Sequence, residues 1–209
     1  MTVLWLIRHA ATDKNLRYHM IGVTDVSLGT TGNEQARALA QRLRTVKFEA
    51  IYASPLARAR ETATLIAAHN EYYPPIELLD NLRELHLGEF EGISSFQAYE
   101  QFRNIMDEAL DSSTDDFAFP GGELRSDAVQ RFNQALYEIV LRHPNAQVCV
   151  VTHGAVIGCW LSFVHNVPLG AFRNYQPKHA SLTKVIAELP HHQFRIVTFN
   201  DTGHLSVSK

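Results

Sequence analysis

Two histidines hold matching positions in the chain, each after an apolar run typical of a buried strand. Arg8 and His9 follow residues 3–7, and His153 follows residues 147–151. Ligands of open α/β sheets bind beyond the carboxyl ends of the strands. A single histidine there is more often structural, but two at corresponding strand ends, one of them preceded by an arginine, favour a functional site.

More cations and one acid fall at similar places. Arg58 and Arg60 lie on the first turn of a predicted helix, where backbone N–H groups already favour an anion. Glu84 follows another predicted strand, and taken alone it would be an ion-pair partner. In-line phosphoryl transfer needs cations for the phosphoryl oxygens, a nucleophile and a proton donor. These needs would be met by two histidines, two or more arginines and a glutamate at one edge of a sheet.

A mostly parallel sheet would bring these residues together. Short apolar runs predict its strands, and the last two runs, on either side of Pro190, His191 and His192, predict an antiparallel hairpin. Strands that alternate with amphipathic helices predict the α/β class, here a three-layer α/β/α sandwich with a mostly parallel central sheet. The predicted strands cover residues 3–7, 50–53, 76–79, 147–151, 181–187 and 194–199.

Capping residues indicate where some of the helices begin and end. Thr31 and Glu34 have the spacing of a capping box before an apolar stripe. Ser54 and Pro55 predict the N-cap and the first residue of the next helix. A longer helix is expected to end near Arg142, because a proline follows shortly after it.

The composition changes between Gly88 and Pro120. Eight acids lie there against one base, Arg103, which gives a formal charge of −7 in a chain whose total is −3. Six aromatic residues share the segment, and a merely solvated acidic helix does not explain them. We therefore expect an inserted helical cap over residues 88–122, within a single domain that spans residues 1–209. The aromatic rings either stack on a substrate or fill the core of the cap itself.

Composition argues against several other classes of protein. Nineteen Lys and Arg stand against 22 Asp and Glu, so no basic field favours nucleic acid or an anionic membrane. Cys149 and Cys159 lie in apolar runs, which fits two buried free thiols in a reducing cytosol. The first apolar run is too short for a signal peptide, and residues 148–164 are interrupted by polar residues. We expect a cytoplasmic protein that binds neither nucleic acid nor membrane.

Motifs of other catalytic classes are missing from the sequence. It has no phosphate-binding P-loop, dinucleotide-binding glycine motif, serine-hydrolase elbow, HExxH or CxxC motif. Neither cysteine has the arginine spacing of a thiolate phosphatase. The other histidines, including His191 and His192, are scattered and mostly in predicted loops, so we interpret them as surface residues rather than metal ligands.

Short motifs follow one another in a fixed order along nearly the whole chain. They are Leu6-Ile-Arg8-His9, Asn15, Gly22-Val-Thr-Asp25, Leu28 with Gly32, Ser54-Pro-Leu-Ala-Arg58-Ala, Glu84 with Gly88 and Glu91-Gly92, Val151-Thr-His153-Gly154, and Asn200-Asp-Thr-Gly-His204-Leu. In this order the sequence resembles the histidine phosphatase superfamily, also called phosphoglycerate-mutase-like, and within it the small phosphatases. The family signature normally has glycine where this chain has Ala10.

The resemblance implies a role for each matching residue. His9 would be the nucleophile that becomes phosphohistidine. Glu84 would protonate the leaving oxygen and then act as the base for the attacking water. Arg8, Arg58 and His153 would form the phosphate pocket, with no metal ion and no cofactor. Weaker matches would contribute to substrate binding, namely Asn15, Gly22 and Gly154.

These roles require particular protonation states. His9 must be neutral to attack, which its reference pKa of about 6.5 permits, and the charge of the adjacent Arg8 lowers that pKa further. Glu84 must carry a proton when the ester arrives, which a bound phosphate dianion or burial under the cap would favour.

Two alternatives to hydrolysis stay open. A phosphoglycerate mutase-type enzyme would return the phosphoryl group to a second hydroxyl, but the resembling mutases carry a Lys and an Arg pair after the catalytic acid, where this chain has only Arg103. A catalytically silent adaptor that binds a phosphorylated ligand would not need Glu84, because an acid facing the anion weakens binding.

We therefore expect hydrolysis of a small-molecule phosphate ester. The charge of −7 in residues 88–120 argues against polyanions such as bisphosphates. α-Ribazole 5′-phosphate is one candidate, and phosphoserine, sugar phosphates and nucleoside monophosphates stay open. The habit of the family also suggests a homodimer.

Overall fold

A single mixed sheet forms the centre of the computed structural model, which describes residues 1–188 and 193–205. The order of its six strands is β3-β2-β4-β1-β5-β6, with β1 to β4 parallel and β5 antiparallel to both β1 and β6. The antiparallel pairing predicted for the last two strands is confirmed, and their connection through Pro190, His191 and His192 lies outside the described residues. The strands are β1 (Thr2–Arg8), β2 (Ala50–Ala53), β3 (Ile76–Leu78), β4 (Gln147–Thr152), β5 (Leu182–Glu188) and β6 (Gln193–Asp201).

Helices cover both faces of the sheet, as the three-layer prediction requires. Leu39 and Ile66 pack with Ile51 in the core on one face, and Phe132 and Trp160 pack with the sheet on the other. Burial of these apolar side chains is the main force that joins the layers. The helices are α1 (Asp13–Leu16), α2 (Thr30–Arg42), α3 (Ala57–His69), α4 (Ser95–Gln101), α5 (Arg103–Leu110), α6 (Arg125–Arg142) and α7 (Gly154–Val164).

The two predicted helix starts are wrong, and both for tertiary reasons. α2 begins at Thr30 after Gly29, with no side-chain cap, so Thr31 lies inside the helix. The backbone before the helix is held by a tertiary contact, because the N–H of Gly29 donates to the carbonyl of Ala11 at 3.1 Å. A Cβ on Gly32 would lie 1.8 Å from the same oxygen, so the first turn of α2 packs against it.

α3 begins after Leu56 rather than at Ser54. The Ser54 hydroxyl lies 2.7 Å from Nε2 of His153 instead of capping the helix. A residue distant in sequence supplies the cap, because the Asp25 carboxylate accepts the N–H of Ala57 at 2.6 Å. The long helix α6 ends at Arg142, as predicted.

Residues 88–122, which we call the cap, contain α4 and α5 and begin and end at one place. The N–H of Glu89 donates to the carbonyl of Pro120 at 2.9 Å. Gly88 has a φ of +56°, and a Cβ there would lie 2.0 Å from the same oxygen, so only glycine fits. Between these ends, Phe90 is buried and its ring stacks on Phe119 with centroids 4.5 Å apart. The aromatic residues therefore do build a core for the cap.

Within residues 1–188 and 193–205, no single helix is both long and apolar enough to cross a membrane. Gly154–Val164 and Leu169–Tyr175 meet the length and composition criteria only when joined, and a bend of 114° separates them.

Candidate active site

The carboxyl ends of β1, β2 and β4 meet at one edge of the sheet. Arg8 pairs in register with Thr152, which brings the following residues, His9 and His153, side by side. Their ring centroids are 5.0 Å apart. We call Arg8, His9, Arg58, Glu84 and His153 the rim, and all five lie at this edge or in contact with its residues.

His9 is buried, and its hydrogen bonds define its tautomer. Nδ1 lies 2.7 Å from the carbonyl oxygen of Ala10, which can only accept, so Nδ1 carries the hydrogen. Nε2 accepts from Nε of Arg58 at 3.3 Å. Burial lowers the pKa of His9 well below its usual value, and the positive charges of Arg58 and Arg8 lower it further. The ring is therefore neutral, and the lone pair is on Nε2.

Arg58 is fixed by backbone carbonyls as well as by His9. Its Nη1 donates to the carbonyl of Thr24 at 2.9 Å, and Nη2 donates to that of Gly22 at 2.6 Å. Burial lowers the pKa of Arg58, and nearby carboxylates, first that of Glu84, oppose this shift. Arg60 is exposed. Of the two arginines that the sequence left open, Arg58 is the one at the site.

Glu91 organises the loop that supplies these carbonyls. Its carboxylate accepts the N–H groups of Gly22, Val23 and Thr24 at 3.2, 2.9 and 3.2 Å, the Thr24 hydroxyl at 2.6 Å and the N–H of Leu87 at 3.0 Å. Burial raises the pKa of Glu91, but these hydrogen bonds outweigh it and leave the pKa below its usual value. The ionised carboxylate is therefore part of the local fold. The sequence contained Glu91 as a family motif without a role for it.

Arg8 is anchored on the side of the site nearest to β5. Nη1 donates to the carbonyl of Pro177 at 2.7 Å, and Nη2 donates to Nε2 of His179 at 2.7 Å. Nε is buried and has no hydrogen-bond partner in the described part of the chain. Burial lowers the pKa of Arg8 to about 10, against the opposing charge of Glu84. The guanidinium is therefore positive at neutral pH, and its Nε–H still lacks an acceptor among the described residues.

His179 is a site residue that sequence reasoning missed, and its interpretation as a surface histidine is wrong. Its ring centroid lies 5.5 Å from that of His9. Burial lowers the pKa of His179 to about 3, with further lowering by Arg8 and Arg58. β5 runs antiparallel to β1, so the residues just before β5 lie at the carboxyl edge of β1. That pairing was the signal available, but the sequence paired β5 only with β6 and not with β1.

His153 is fully buried and neutral. Its Nε2 lies 2.7 Å from the Ser54 hydroxyl, while Nδ1 is buried without a partner among the residues described. Burial lowers the pKa of His153 well below its usual value, and the charges of Arg58, Arg8 and Arg131 add to the effect.

The Glu84 carboxylate lies at the N-terminus of α7. Oε1 accepts the N–H groups of Leu85 and Val156 at 3.1 and 2.8 Å, and Oε2 accepts that of Ala155 at 2.9 Å. The oriented N–H groups of a helix N-terminus favour an acid at this position. Oε2 has a single donor among the described residues, which leaves it capacity for another hydrogen bond.

A second arginine holds the backbone that carries Glu84. Arg131 forms two hydrogen bonds with Glu123, at 2.6 Å from Nε and 2.9 Å from Nη2. The same guanidinium donates to the carbonyls of Asn81, Arg83 and Glu84 at 3.0, 2.7 and 3.1 Å. The Arg131 guanidinium, paired with the Glu123 carboxylate, therefore fixes the turn after β3 that carries Glu84.

The three weaker sequence predictions take different places. Asn15 lines the same cavity as His9 and accepts the Thr12 hydroxyl at 2.9 Å. Gly22 contacts the site through its carbonyl on Arg58. Gly154 is the first residue of α7, and a Cβ there would lie 2.7 Å from Cζ of Arg8. Gly154 therefore allows that guanidinium to approach the helix.

The rim opens into a cavity of about 370 Å³ beneath the cap, a volume typical of small-ligand sites. Arg8, His9 and Glu84 contribute its polar floor, and Arg125 and Arg173 add two more cations. The structure describes all eight acids of residues 88–120, and none of them is in the wall. Apolar side chains from the cap and from outside it complete the wall, among them Met20, Tyr99, Met106, Leu110, Phe119 and Phe172.

The described residues include no group of three or more His, Cys, Asp or Glu side chains that could hold a metal ion. Cys149 and Cys159 are buried free thiols, as predicted, and burial raises the pKa of both.

Curated relatives match nearly the whole chain. The phosphatase PhoE of Bacillus subtilis, described as uncharacterized, is 29% identical over 207 residues, which are 99% of this chain and 98% of that protein. A metal-independent phosphoserine phosphatase of Arabidopsis thaliana is 30% identical over 209 residues, 99% of this chain and 84% of that one. A probable phosphoglycerate mutase, GpmB, of Erwinia tasmaniensis is 30% identical over 88% of this chain and 85% of its own length.

Solved structures share the fold. Bacillus stearothermophilus YhfR superposes with a TM-score of 0.86 at 30% identity, covering 98% of this chain and 100% of that one. A mycobacterial glucosyl-3-phosphoglycerate phosphatase in complex with VO3 has a TM-score of 0.81 at 26% identity, over 95% and 98% of the two chains. The α-ribazole phosphatase of Shigella flexneri has a TM-score of 0.81 over 96% of each chain, and its 20% identity shows the fold alone.

The family model for the histidine phosphatase superfamily (branch 1) matches residues 4–202. This range includes the rim, the cap and the sheet that carries them. The chain therefore belongs to the histidine phosphatase superfamily and is a phosphatase.

Proposed function

We propose that this chain hydrolyses small phosphate monoesters, without a metal ion, through a phosphohistidine formed on Nε2 of His9. The observation that carries the proposal is the state of that ring, which is neutral, tied through Nδ1 to a carbonyl and left with a lone pair on Nε2. Two buried nitrogens of neighbouring rim residues, Nε of Arg8 and Nδ1 of His153, have no partner in the described residues. Phosphoryl oxygens would provide both partners.

In the first step, Nε2 of His9 attacks phosphorus and the bond from phosphorus to the ester oxygen breaks. The cations of Arg8 and Arg58 stabilise the charge on the phosphoryl oxygens in the transition state. His153 donates from Nδ1 when its Nε2 accepts the Ser54 hydroxyl. Glu84 acts as the general acid and gives a proton to the leaving oxygen from Oε2, which has a single donor among the described residues, and an alcohol departs.

In the second step, a water molecule attacks the phosphohistidine. The Glu84 carboxylate accepts the proton of the water, the bond between phosphorus and Nε2 breaks, and inorganic phosphate leaves. His9 returns to its neutral state with Nδ1 still bonded to the carbonyl of Ala10. Both half-reactions use the same five residues.

The cavity supports a small substrate with an apolar portion. Tyr99 and Phe119 of the cap reach its wall, which keeps α-ribazole 5′-phosphate among the candidates. Phe102 packs on Phe90 and Phe117 packs on Phe119, whereas Phe96 is exposed, so only part of the aromatic content bears on substrate choice. The single-domain organisation, the cytoplasmic location and the homodimer are part of the proposal and rest on sequence composition and family habit.

The test is hydrolysis of p-nitrophenyl phosphate in EDTA from about pH 5 to 8. We expect turnover in the wild type and its loss in both His9→Ala and His9→Gln, the second of which keeps the volume of the ring more closely. His69→Gln, on the far end of α3, is the matched control and should keep wild-type rates. Absence of turnover in folded wild-type protein would overturn the proposal, and conversion of 3-phosphoglycerate to 2-phosphoglycerate would then identify a mutase.

A further inference from the structure

Arg125 is a buried cation that forms no ion pair with a carboxylate of the described residues. Its side chain is 3% exposed. No carboxylate oxygen of the described residues lies within 4.0 Å of its nitrogens, although such pairs form elsewhere in the molecule. Burial of an unpaired charge is costly, so the position calls for an explanation.

The Arg125 guanidinium is held in position, but not all of its N–H groups have a hydrogen-bond acceptor. Nη2 donates to the carbonyl of Ala109 at 2.7 Å. Cζ lies 5.0 Å from the ring centroid of Phe117 and 4.8 Å from that of Phe172, so the group is held between two aromatic faces. Nη1 is buried and has no hydrogen-bond partner among the described residues. One nitrogen with two N–H groups is therefore held ready to donate.

Arg125 lines the same cavity as Arg8, His9 and Glu84. The exposed Arg173 also lines it. Burial lowers the pKa of Arg125, the charge of Asp116 outside the wall opposes this shift, and the charge of Arg173 adds to it. Among the described residues, Glu84 is the one acid in the wall, and it is already part of the rim. A substrate whose phosphate binds at the rim would therefore extend towards a second positive region.

We propose that Arg125 binds a carboxylate of the substrate, so that this enzyme selects phosphate monoesters that also carry a carboxylate. The inference rests on the proposed hydrolase function and adds its substrate class. A carboxylate matches the single charge of Arg125 and can accept from its unpartnered Nη1. A second phosphate matches less well, because its additional oxygens would lie beside the apolar side chains of Met106, Ala109 and Leu110, which share this wall.

The experiment compares kcat/KM for two pairs of esters that differ in the carboxylate. The pairs are phosphoserine with phosphoethanolamine, and 3-phosphoglycerate with glycerol 3-phosphate. The wild type should prefer the carboxylate member of each pair by roughly 10- to 100-fold, the range of one hydrogen-bonded charge. Two further substrates represent the alternatives: α-ribazole 5′-phosphate for esters with an apolar portion, and 2,3-bisphosphoglycerate for bisphosphates.

Variants separate binding from folding. Arg125→Met should bring the two members of each pair to within about twofold, mainly through KM, and leave p-nitrophenyl phosphate hydrolysis within about threefold. Arg125→Lys keeps the charge and should retain part of the preference. Arg103→Met removes an exposed arginine of the cap that is not in the cavity wall, and should change nothing.

Each other result overturns the inference. A wild type without preference within the pairs refutes it, as does a preference for the bisphosphate or for the ribazole ester. An equal loss on every substrate in Arg125→Met, including p-nitrophenyl phosphate, would show a structural role. If Arg125→Met does not fold, the inference is tested by the preference of the wild type for the carboxylate esters and by the part of that preference that Arg125→Lys retains. If the wild type hydrolyses p-nitrophenyl phosphate but shows no preference between the two members of each ester pair, this inference alone fails. If it does not hydrolyse p-nitrophenyl phosphate, the proposed function and the inference both fail.

Discussion

The rim and the cap face one cavity but are stabilised in different ways. The rim arginines and Glu84 are held by directional hydrogen bonds to backbone atoms, such as the two carbonyls on Arg58 and the three N–H groups on Glu84. The cap is held by contacts between rings, centred on Phe90, and by its joined ends. Directional bonds fix atoms for chemistry, whereas apolar packing tolerates changes of shape better. Substitutions in the rim should therefore affect rate, and substitutions in the cap should affect stability and substrate choice.

The largest expected effect is at Arg58. Arg58→Met removes a cation from the phosphoryl oxygens and the donor to Nε2 of His9, and should lower kcat for p-nitrophenyl phosphate by about 10³-fold. Arg60→Met, two residues away on an exposed position, should stay within about twofold. Steady-state kinetics on both variants checks this pair. Equal losses would mean that the rim is not the site of the reaction.

The matching test of the cap is at Phe90. Phe90→Ala empties a buried position and should lower the free energy of unfolding by roughly 3 kcal/mol, while kcat for p-nitrophenyl phosphate changes by less than about fivefold. Phe96→Ala, at a side chain that is 74% exposed, should change stability by less than about 0.5 kcal/mol. Urea unfolding measures both variants. A large loss of kcat with unchanged stability in Phe90→Ala would remove the distinction between the two regions.

An intermediate effect is expected at Glu91, which joins the cap to the rim. Glu91→Gln should lower kcat/KM about 10-fold and stability by about 2 kcal/mol at pH 7, because a charged acceptor of several hydrogen bonds is lost. The pKa of Glu91 is lowered in the folded state, so its stabilisation is complete above the unfolded pKa of about 4.3. It is lost as pH falls through the lower folded value. Thermal unfolding of both proteins from pH 7 to pH 3 should show the difference shrinking in acid, and a constant difference would contradict the assigned role.

The smallest expected effect is a change of slope with pH at His179. Its folded pKa of about 3 lies below an unfolded value of about 6.5, so the unfolded chain takes up a proton first as pH falls. Stability from this residue is complete above about pH 6.5 and decreases by up to about 1.4 kcal/mol per pH unit below it. His179→Gln should flatten the stability curve between pH 6.5 and 5. If the stability of His179→Gln falls as steeply with decreasing pH as that of the wild type, the proton is taken up by a residue other than His179.

Much of the rim could be predicted from sequence because each residue follows a strand or begins a helix. Arg8, His9 and His153 stand at ends of parallel strands, and sheet topology alone brings such ends together. Strand boundaries agree to within one residue where apolar runs are continuous, as in β2 and β4.

The remainder depends on contacts between distant residues. Ser54 has the sequence of a helix cap, yet its hydroxyl is used by His153, and Asp25 caps α3 instead. His179 joins the rim only because β5 pairs with β1. The charge of −7 in residues 88–120 predicted an acidic surrounding for the substrate, but the acids lie outside the cavity wall and arginines line it. Local patterns contain no information on such pairings.

The most direct test of the central claim is detection of the phosphoryl group on His9. p-Nitrophenyl phosphate turnover is quenched in base, where phosphohistidine persists, and the peptide that contains His9 is analysed by mass spectrometry. The phosphoryl group should be on His9 in the wild type and absent in His9→Gln. It should accumulate in Glu84→Gln, because p-nitrophenolate leaves without an acid whereas the attack of water needs the base. Turnover with no phosphoenzyme in either the wild type or Glu84→Gln, or with the phosphoryl group on another residue, would contradict the account.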